Sequence, residues 1–144
     1  MRRQQRWMVV ALVATGLTVS GCAETSSESE DSGDPAAELV PIEGSDLQQV
    51  VLTERAIERL DLQMAEVSFG ALGQTVPYAA LVYDAEGDTW VYTSPEPLTF
   101  ERTSVTVTNI AGEIAFLSAG PAAGTEVVTV GTAELFGTEQ EIGQ

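Results

Sequence analysis

From Leu47 to Phe136 the apolar residues come in short runs, and Gly, Pro, Asp or Asn closes most of them. Leu47–Leu52 (LQQVVL) predicts a first strand. The next stretch changes period. Ala56, Ile57 and Leu60 share one helical face, while Glu54, Arg55, Glu58 and Arg59 take the other. Thr53 is the predicted N-cap. Glu54 in the first turn and Arg59 in the last suit the helix dipole, and Asp61 ends the helix. Leu62–Val67 alternates apolar and polar, which predicts a half-buried strand with Met64 in the core.

Gly70 and Gly73 then interrupt the pattern. Val76–Tyr83 (VPYAALVY) is apolar on both parities and reads as one central strand covered on both faces. Asp84–Asp88 (DAEGD) followed by Thr89–Thr93 (TWVYT) reads as an acidic turn and the return strand of a hairpin. Asp84, Glu86 and Asp88 alternate as in a sparse Ca²⁺ loop, but such a loop needs more oxygen ligands, and turn chemistry accounts for them. Ser94–Pro97 reads as a stiff connection. Leu98 and Phe100 share one parity and Val105 and Val107 the other, so the ladder has to bulge or bend near residues 101–104. Turns at Asn109–Gly112 and Gly120–Gly124 set off strands at Glu113–Leu117 and Glu126–Val130, and Thr132–Phe136 closes with a helical turn before Gly137. The expected fold is mainly β: a small β-barrel or sandwich of short antiparallel strands with one short helix.

The first 46 residues are patterned differently. A basic start (Arg2, Arg3, Arg6) precedes an apolar run from Trp7 to Val19, of signal-peptide length and too short to span a bilayer. Val19-Ser20-Gly21-Cys22 then resembles a bacterial lipobox, with Val19 where Leu is usual. That resemblance implies cleavage before Cys22 and thioether lipidation of Cys22. Arg2-Arg3 hints at twin-arginine export, without the rest of that motif. Ser, Glu, Asp, Gly and Pro dominate residues 23–45, the composition of a disordered, charge-extended linker. The expected organisation is a lipoprotein signal peptide over 1–21, the lipidated Cys22 and acidic linker over 22–46, a β domain over 47–139 and a tail over 140–144. The expected location is the extracytoplasmic face of the cell membrane, held by lipid.

Composition narrows the chemistry. The chain of 144 residues allows one domain of ordinary size. It has no Lys, and its 22 acidic residues against 6 Arg give a net charge of −16. Because Arg2, Arg3 and Arg6 lie in the leader, 3 Arg face 22 acids afterwards, a net charge near −19. Such a chain repels phosphates and anionic headgroups, so nucleic acid is not an expected partner. A single Cys rules out an internal disulfide, and the absence of His rules out His acid–base catalysis and His-ligated metal. With no His, no Lys and the Cys assigned to lipid, triads and Lys-based nucleophiles each lack a member; a carboxylate pair is conceivable among 22 acids, but no spacing singles one out. Neither catalytic residues nor a cofactor or metal is expected.

Several pieces recur in a telling order: Val76-Pro77-Tyr78-Ala79-Ala80-Leu81, Asp84 and Gly87 before Trp90-Val91-Tyr92, Leu98-Thr99 with Arg102, Val105-Thr106-Val107, and Ser118–Val128 (SAGPAAGTEVV). Together they resemble the membrane-proximal region of periplasmic adaptor (membrane fusion) proteins of resistance–nodulation–division efflux systems. Thr53–Val67 is similar to the segment before the adaptor β-barrel. The stretch from Cys22 to Gln48 has no room for the helical hairpin and lipoyl-like halves of a full adaptor, so the chain cannot build that tunnel. With one Met beyond the leader and no His, a metal-exporting role is set aside. The resemblance implies a non-enzymatic lipoprotein, tied to membrane lipid through Cys22 and associating with an inner-membrane transporter or permease. Candidate contacts are the exposed members of Trp90, Tyr92 and Phe100, with Arg102 as a single cation. The competing reading places the three aromatics in the core. The alternative function is a free-standing ligand-binding or envelope-structural lipoprotein.

Overall fold

A computed structural model describes residues 35–143. The leader, Cys22 and the linker up to residue 34 lie outside the described residues. Two antiparallel sheets and two helices make up the fold, and neither sheet closes into a barrel.

The main sheet is built from β1 (Ala37–Pro41), β2 (Gln48–Leu52), β3 (Gln63–Glu66), β6 (Val82–Tyr83), β7 (Thr89–Glu96), β8 (Thr99–Ser104) and β11 (Glu126–Val130). Its order is β1-β2-β8-β7-β11-β3, and β6 also pairs with β7. The second sheet has β4 (Ser68–Gly70), β5 (Gly73–Pro77), β9 (Thr106–Ala111) and β10 (Ile114–Ala119), in the order β4-β5-β10-β9. Helix α1 spans Glu54–Leu60 and α2 Thr132–Ile142.

The described residues form three layers. One face of the main sheet packs on both helices through Val50, Leu52, Ala56, Tyr92, Phe100, Val128 and Leu135. The other face packs on the second sheet through Val67, Val76, Val91, Val105, Ala115, Leu117 and Val127. Successive strand residues point to opposite faces. Val127 and Val128 in β11, and Val91 and Tyr92 in β7, therefore each serve both cores. Two-sided apolar character belongs to β7 and β11.

Expected and observed elements agree where a local signal was strong. α1 begins at the Thr53 cap, whose Oγ1 accepts from the Ala56 N–H at 3.2 Å. Asp61 ends it in the left-handed region at φ 48°. Asp84–Asp88 joins β6 to β7 as a hairpin turn. The parity change between Phe100 and Val105 is real, but its cause is a change of sheet: β8 belongs to the main sheet and β9 to the second. Val105 is the buried corner residue, and its N–H donates to the Thr89 carbonyl at 3.0 Å.

Other expectations are corrected. The linker expected through residue 46 contains β1, which pairs with β2 from Ala37↔Leu52 to Pro41↔Gln48. Leu39 packs on the helix-side core, and one well-placed apolar residue suffices for an edge strand. Val76–Tyr83 is not one strand. Pro77 lacks an N–H, ends β5, and leads into a 3₁₀ turn at Tyr78–Ala80 before β6. Met64 is 41% exposed: it lies opposite the buried Val128 on the helix-side face, but β3 is an edge strand and leaves it on the rim of an open groove. β7 runs through Pro95 to Glu96, so the stiff connection shrinks to Pro97-Leu98. Leu98 takes φ 66°, a strained value for Leu, and its carbonyl accepts the Leu52 N–H at 2.8 Å. The turn expected at Asn109–Gly112 lies at Gly112-Glu113. The helical turn and tail expected from Thr132 onward form one helix of 11 residues running through Gly137, since the Leu135–Glu139 side is bound to the main sheet.

Leu135 is fully buried at the centre of the helix-side core. Leu135→Ala should lower the unfolding free energy by about 2–5 kcal/mol. Urea titration followed by circular dichroism reads that loss.

Candidate docking surface

The four residues proposed as contacts, Trp90, Tyr92, Phe100 and Arg102, share the helix-side face of β7 and β8. Register explains why: Tyr92 lies opposite Arg102, and Trp90 opposite Ser104. Tyr92 and Phe100 are fully buried, so neither reaches a partner. Arg102 is not a lone cation. Its Nε lies 2.9 Å from Glu139 Oε2 and donates to Oε1 at 3.0 Å. The Tyr92 hydroxyl donates to Glu139 Oε2 at 2.6 Å. The guanidinium also stacks on Trp90 and Phe136, 4.9 and 5.6 Å from their ring centres. Trp90 Nε1 in turn donates to Asp84 Oδ2 at 2.7 Å, and Asp84 Oδ1 accepts the Asp88 N–H at 2.8 Å.

A continuous chain thus runs from the β6–β7 turn through Trp90 and Arg102 to Glu139 on α2. Glu139 is only 6% exposed, and its carboxylate is saturated by one phenol and one guanidinium. The set acts as a clamp that fixes α2 on the sheet. Burial, and then the bond to Glu139, push the Tyr92 phenol well above the usual tyrosine range. The Trp90 N–H holds the Asp84 carboxyl below the usual carboxylate range. Both Asp84 oxygens are therefore engaged in closing the turn. Among the described residues no group of three or more His, Cys, Asp or Glu is placed to hold a metal.

The exposed apolar residues lie elsewhere. Phe69 and Leu72, 73% and 79% exposed, flank the tip of the β4–β5 hairpin. Gly73, at φ 105°, supplies the backbone conformation that closes this tip. Ile110 and Ile114 are exposed on β9 and β10. The four strands of this sheet, SFG, GQTVP, TVTNIA and IAFLSA, carry no charged residue at all. No charge occurs between Glu66 and Asp84 in a chain of net charge −16. The second sheet turns one face to the main sheet and leaves the other without a covering layer among the described residues. This neutral surface was missed by sequence reasoning, which ranked aromatics and the single cation. The legible signal was the gap in the acidic residues.

Comparison with protein-family models, curated proteins and solved structures finds no match. Among the described residues no helix is long and apolar enough to cross a membrane.

The Tyr92 shift has a sign. The folded state holds the phenolic proton more tightly than the unfolded chain does. That stability is complete below pH about 10 and is lost as pH rises above it. Wild-type protein should lose stability between pH 10 and 12 more steeply than Tyr92→Phe, which starts about 1–2 kcal/mol lower at pH 7 for want of the hydrogen bond. Asp84 runs the other way. Its contribution is present above pH about 4 and lost below it, so Asp84→Asn should flatten the acid limb. Urea midpoints across pH 3–12 check both.

Proposed function

We propose that the protein is a non-enzymatic, membrane-anchored lipoprotein whose β domain docks on an extracytoplasmic transporter complex, as the likeness to efflux adaptors implies. The observation that carries this reading is the charge-free second sheet with its protruding Phe69 and Leu72, in a chain otherwise dense in acids. Acidic surface disfavours anionic partners and headgroups. An uncharged apolar projection is the part that can lose its water cheaply against another protein. A lipid on Cys22 would confine the domain to the membrane face and raise its effective concentration there, and two covalent chains make such anchoring stable.

A second reading, a free-standing ligand-binding lipoprotein, has one observation in its favour. A groove of about 380 Å³ is lined by Ile57, Leu62, Met64 and Leu98 together with Glu96 and Glu126. Apolar walls beside two carboxylates suit a small apolar cation.

A crosslinking pull-down from native membranes separates the two. With a photo-crosslinker at Leu72, the docking reading expects recovery of a specific permease. Recovery should fall by about tenfold with Phe69→Ser, the scale of losing one apolar anchor, and vanish with Cys22→Ala. Repeated recovery of no transporter, with a hydrophobic cation protecting Met64 from oxidation, would replace docking by ligand binding.

A further inference from the structure

Five strands of the described sheets pair on one side only, and four of them are guarded against pairing with another chain. β1 carries Glu38 and ends in Pro41, β3 has four residues with Glu66, β4 has three residues and ends at Gly70, and β6 has only two residues. Short length, charge and Pro are the usual devices that blunt an edge. β9, Thr106–Ala111, has six residues with no charge, no Pro and no Gly. Five of the six are exposed, and no strand pairs with its far side among the described residues.

The side chains of β9 also show which face wants a neighbour. Ile110 lies opposite Ala115, which lies opposite Val76, and both of those are buried in the inter-sheet core. Val107 lies opposite Leu117 and packs on the same core. Thr108 is the extra residue of a bulge between these two pairs, and its hydroxyl donates to the Phe116 carbonyl at 3.1 Å. The bulge therefore turns both Val107 and Ile110 to the core side. Ile110 stays 44% exposed only because the sheet stops there.

We infer that β9 is a self-pairing edge: two copies of the chain join β9 to β9 antiparallel about a two-fold axis, making one eight-stranded sheet. An antiparallel edge is its own complement, and two-fold contacts are the commonest closed arrangement. Full alignment of the strands sets Val107 of one copy opposite the partner's Ile110, and the reverse, extending both cores. Charge selects this arrangement. Two chains of net charge −16 repel, and β9 is a stretch where contact brings no like charges together. The antiparallel direction also keeps Glu113, in the β9–β10 turn, at opposite ends of the joint, whereas parallel pairing would set the two side by side. Six residues a side bury less than the roughly 1,000 Å² of a stable interface, so the dimer is weak and concentration-dependent. The inference does not rest on the transporter reading.

The test uses the full chain carrying Cys22→Ala, so that an introduced cysteine is the sole thiol. Asn109→Cys lies beside the two-fold axis, and Leu72→Cys marks the opposite end of the sheet. Mild oxidation at rising protein concentration should give a covalent dimer from Asn109→Cys at least about tenfold faster than from Leu72→Cys. Adding Ile110→Lys, an inward-edge charge, should remove that difference while the circular dichroism spectrum is kept. Equal rates at the two positions, or no dimer from Asn109→Cys at any concentration, would overturn self-pairing. So would crosslinking of Asn109→Cys in a cell extract to a different protein in place of a second copy, which would make β9 a heterologous edge.

Discussion

Val127 and Val128 are neighbours in β11, both fully buried, on opposite faces of the main sheet. That requirement for dryness on two sides organises everything else. A strand with apolar residues on both parities cannot face water on either face. It forces the helices onto one side and a second sheet onto the other. β7 meets the same demand with Val91 and Tyr92. The chain responds by changing sheets at Val105, so that the strands after it fold back over the face that α1 and α2 leave bare.

The helix-side layer adds a polar constraint to this apolar one. Glu139 is charged and buried, which is costly unless its oxygens are filled. Arg102 and Tyr92 fill them, and they come from the facing strands β8 and β7. A buried pair of this kind adds little net stability, but it penalises every other placement of α2 on the sheet. Trp90 extends the same set to Asp84, so the β6–β7 turn and α2 share one network along the helix-side face. The only cation outside α1 among the described residues is spent inside the fold, and apart from Arg55 and Arg59 on α1 the described surface is left to acids and neutral groups.

What the chain disclosed before folding follows from how local each signal is. Thr53, Asp61 and the Asp84–Asp88 turn act over a few residues, and all behave as read. The run EVVTV reads as a strand and forms one, buried on both faces at Val127 and Val128. VPYAALVY offered the same pattern and misled, because Pro77 has no N–H for a ladder and the pattern cannot see which strand will be central. Met64 failed for a related reason: alternation gives a face, and only the neighbours decide whether that face is covered. β1 was hidden in polar company, since its partner β2 supplies the reason for its order. Glu139 looked like one more surface acid, and nothing short of the β7–β8 register would have paired it with Arg102. For the candidate surface, the aromatics pointed to the core, while the charge-free stretch from Val67 to Tyr83 contains the exposed Phe69 and Leu72 among buried residues.

The position of β11 also bears on when the fold can form. It follows every other strand in chain order, yet lies between β7 and β3, with Glu126 opposite Glu66 and Val127 opposite Thr93. β2 likewise waits for β8, with Gln49 opposite Glu101. Pairings between residues this far apart in sequence are slow to find, typically milliseconds to seconds for all-β topologies. Neither core is complete until β11 has inserted and α2 has closed over it. During synthesis β3 has no strand partner until β11 arrives, so neither core closes until nearly all of the chain has been made.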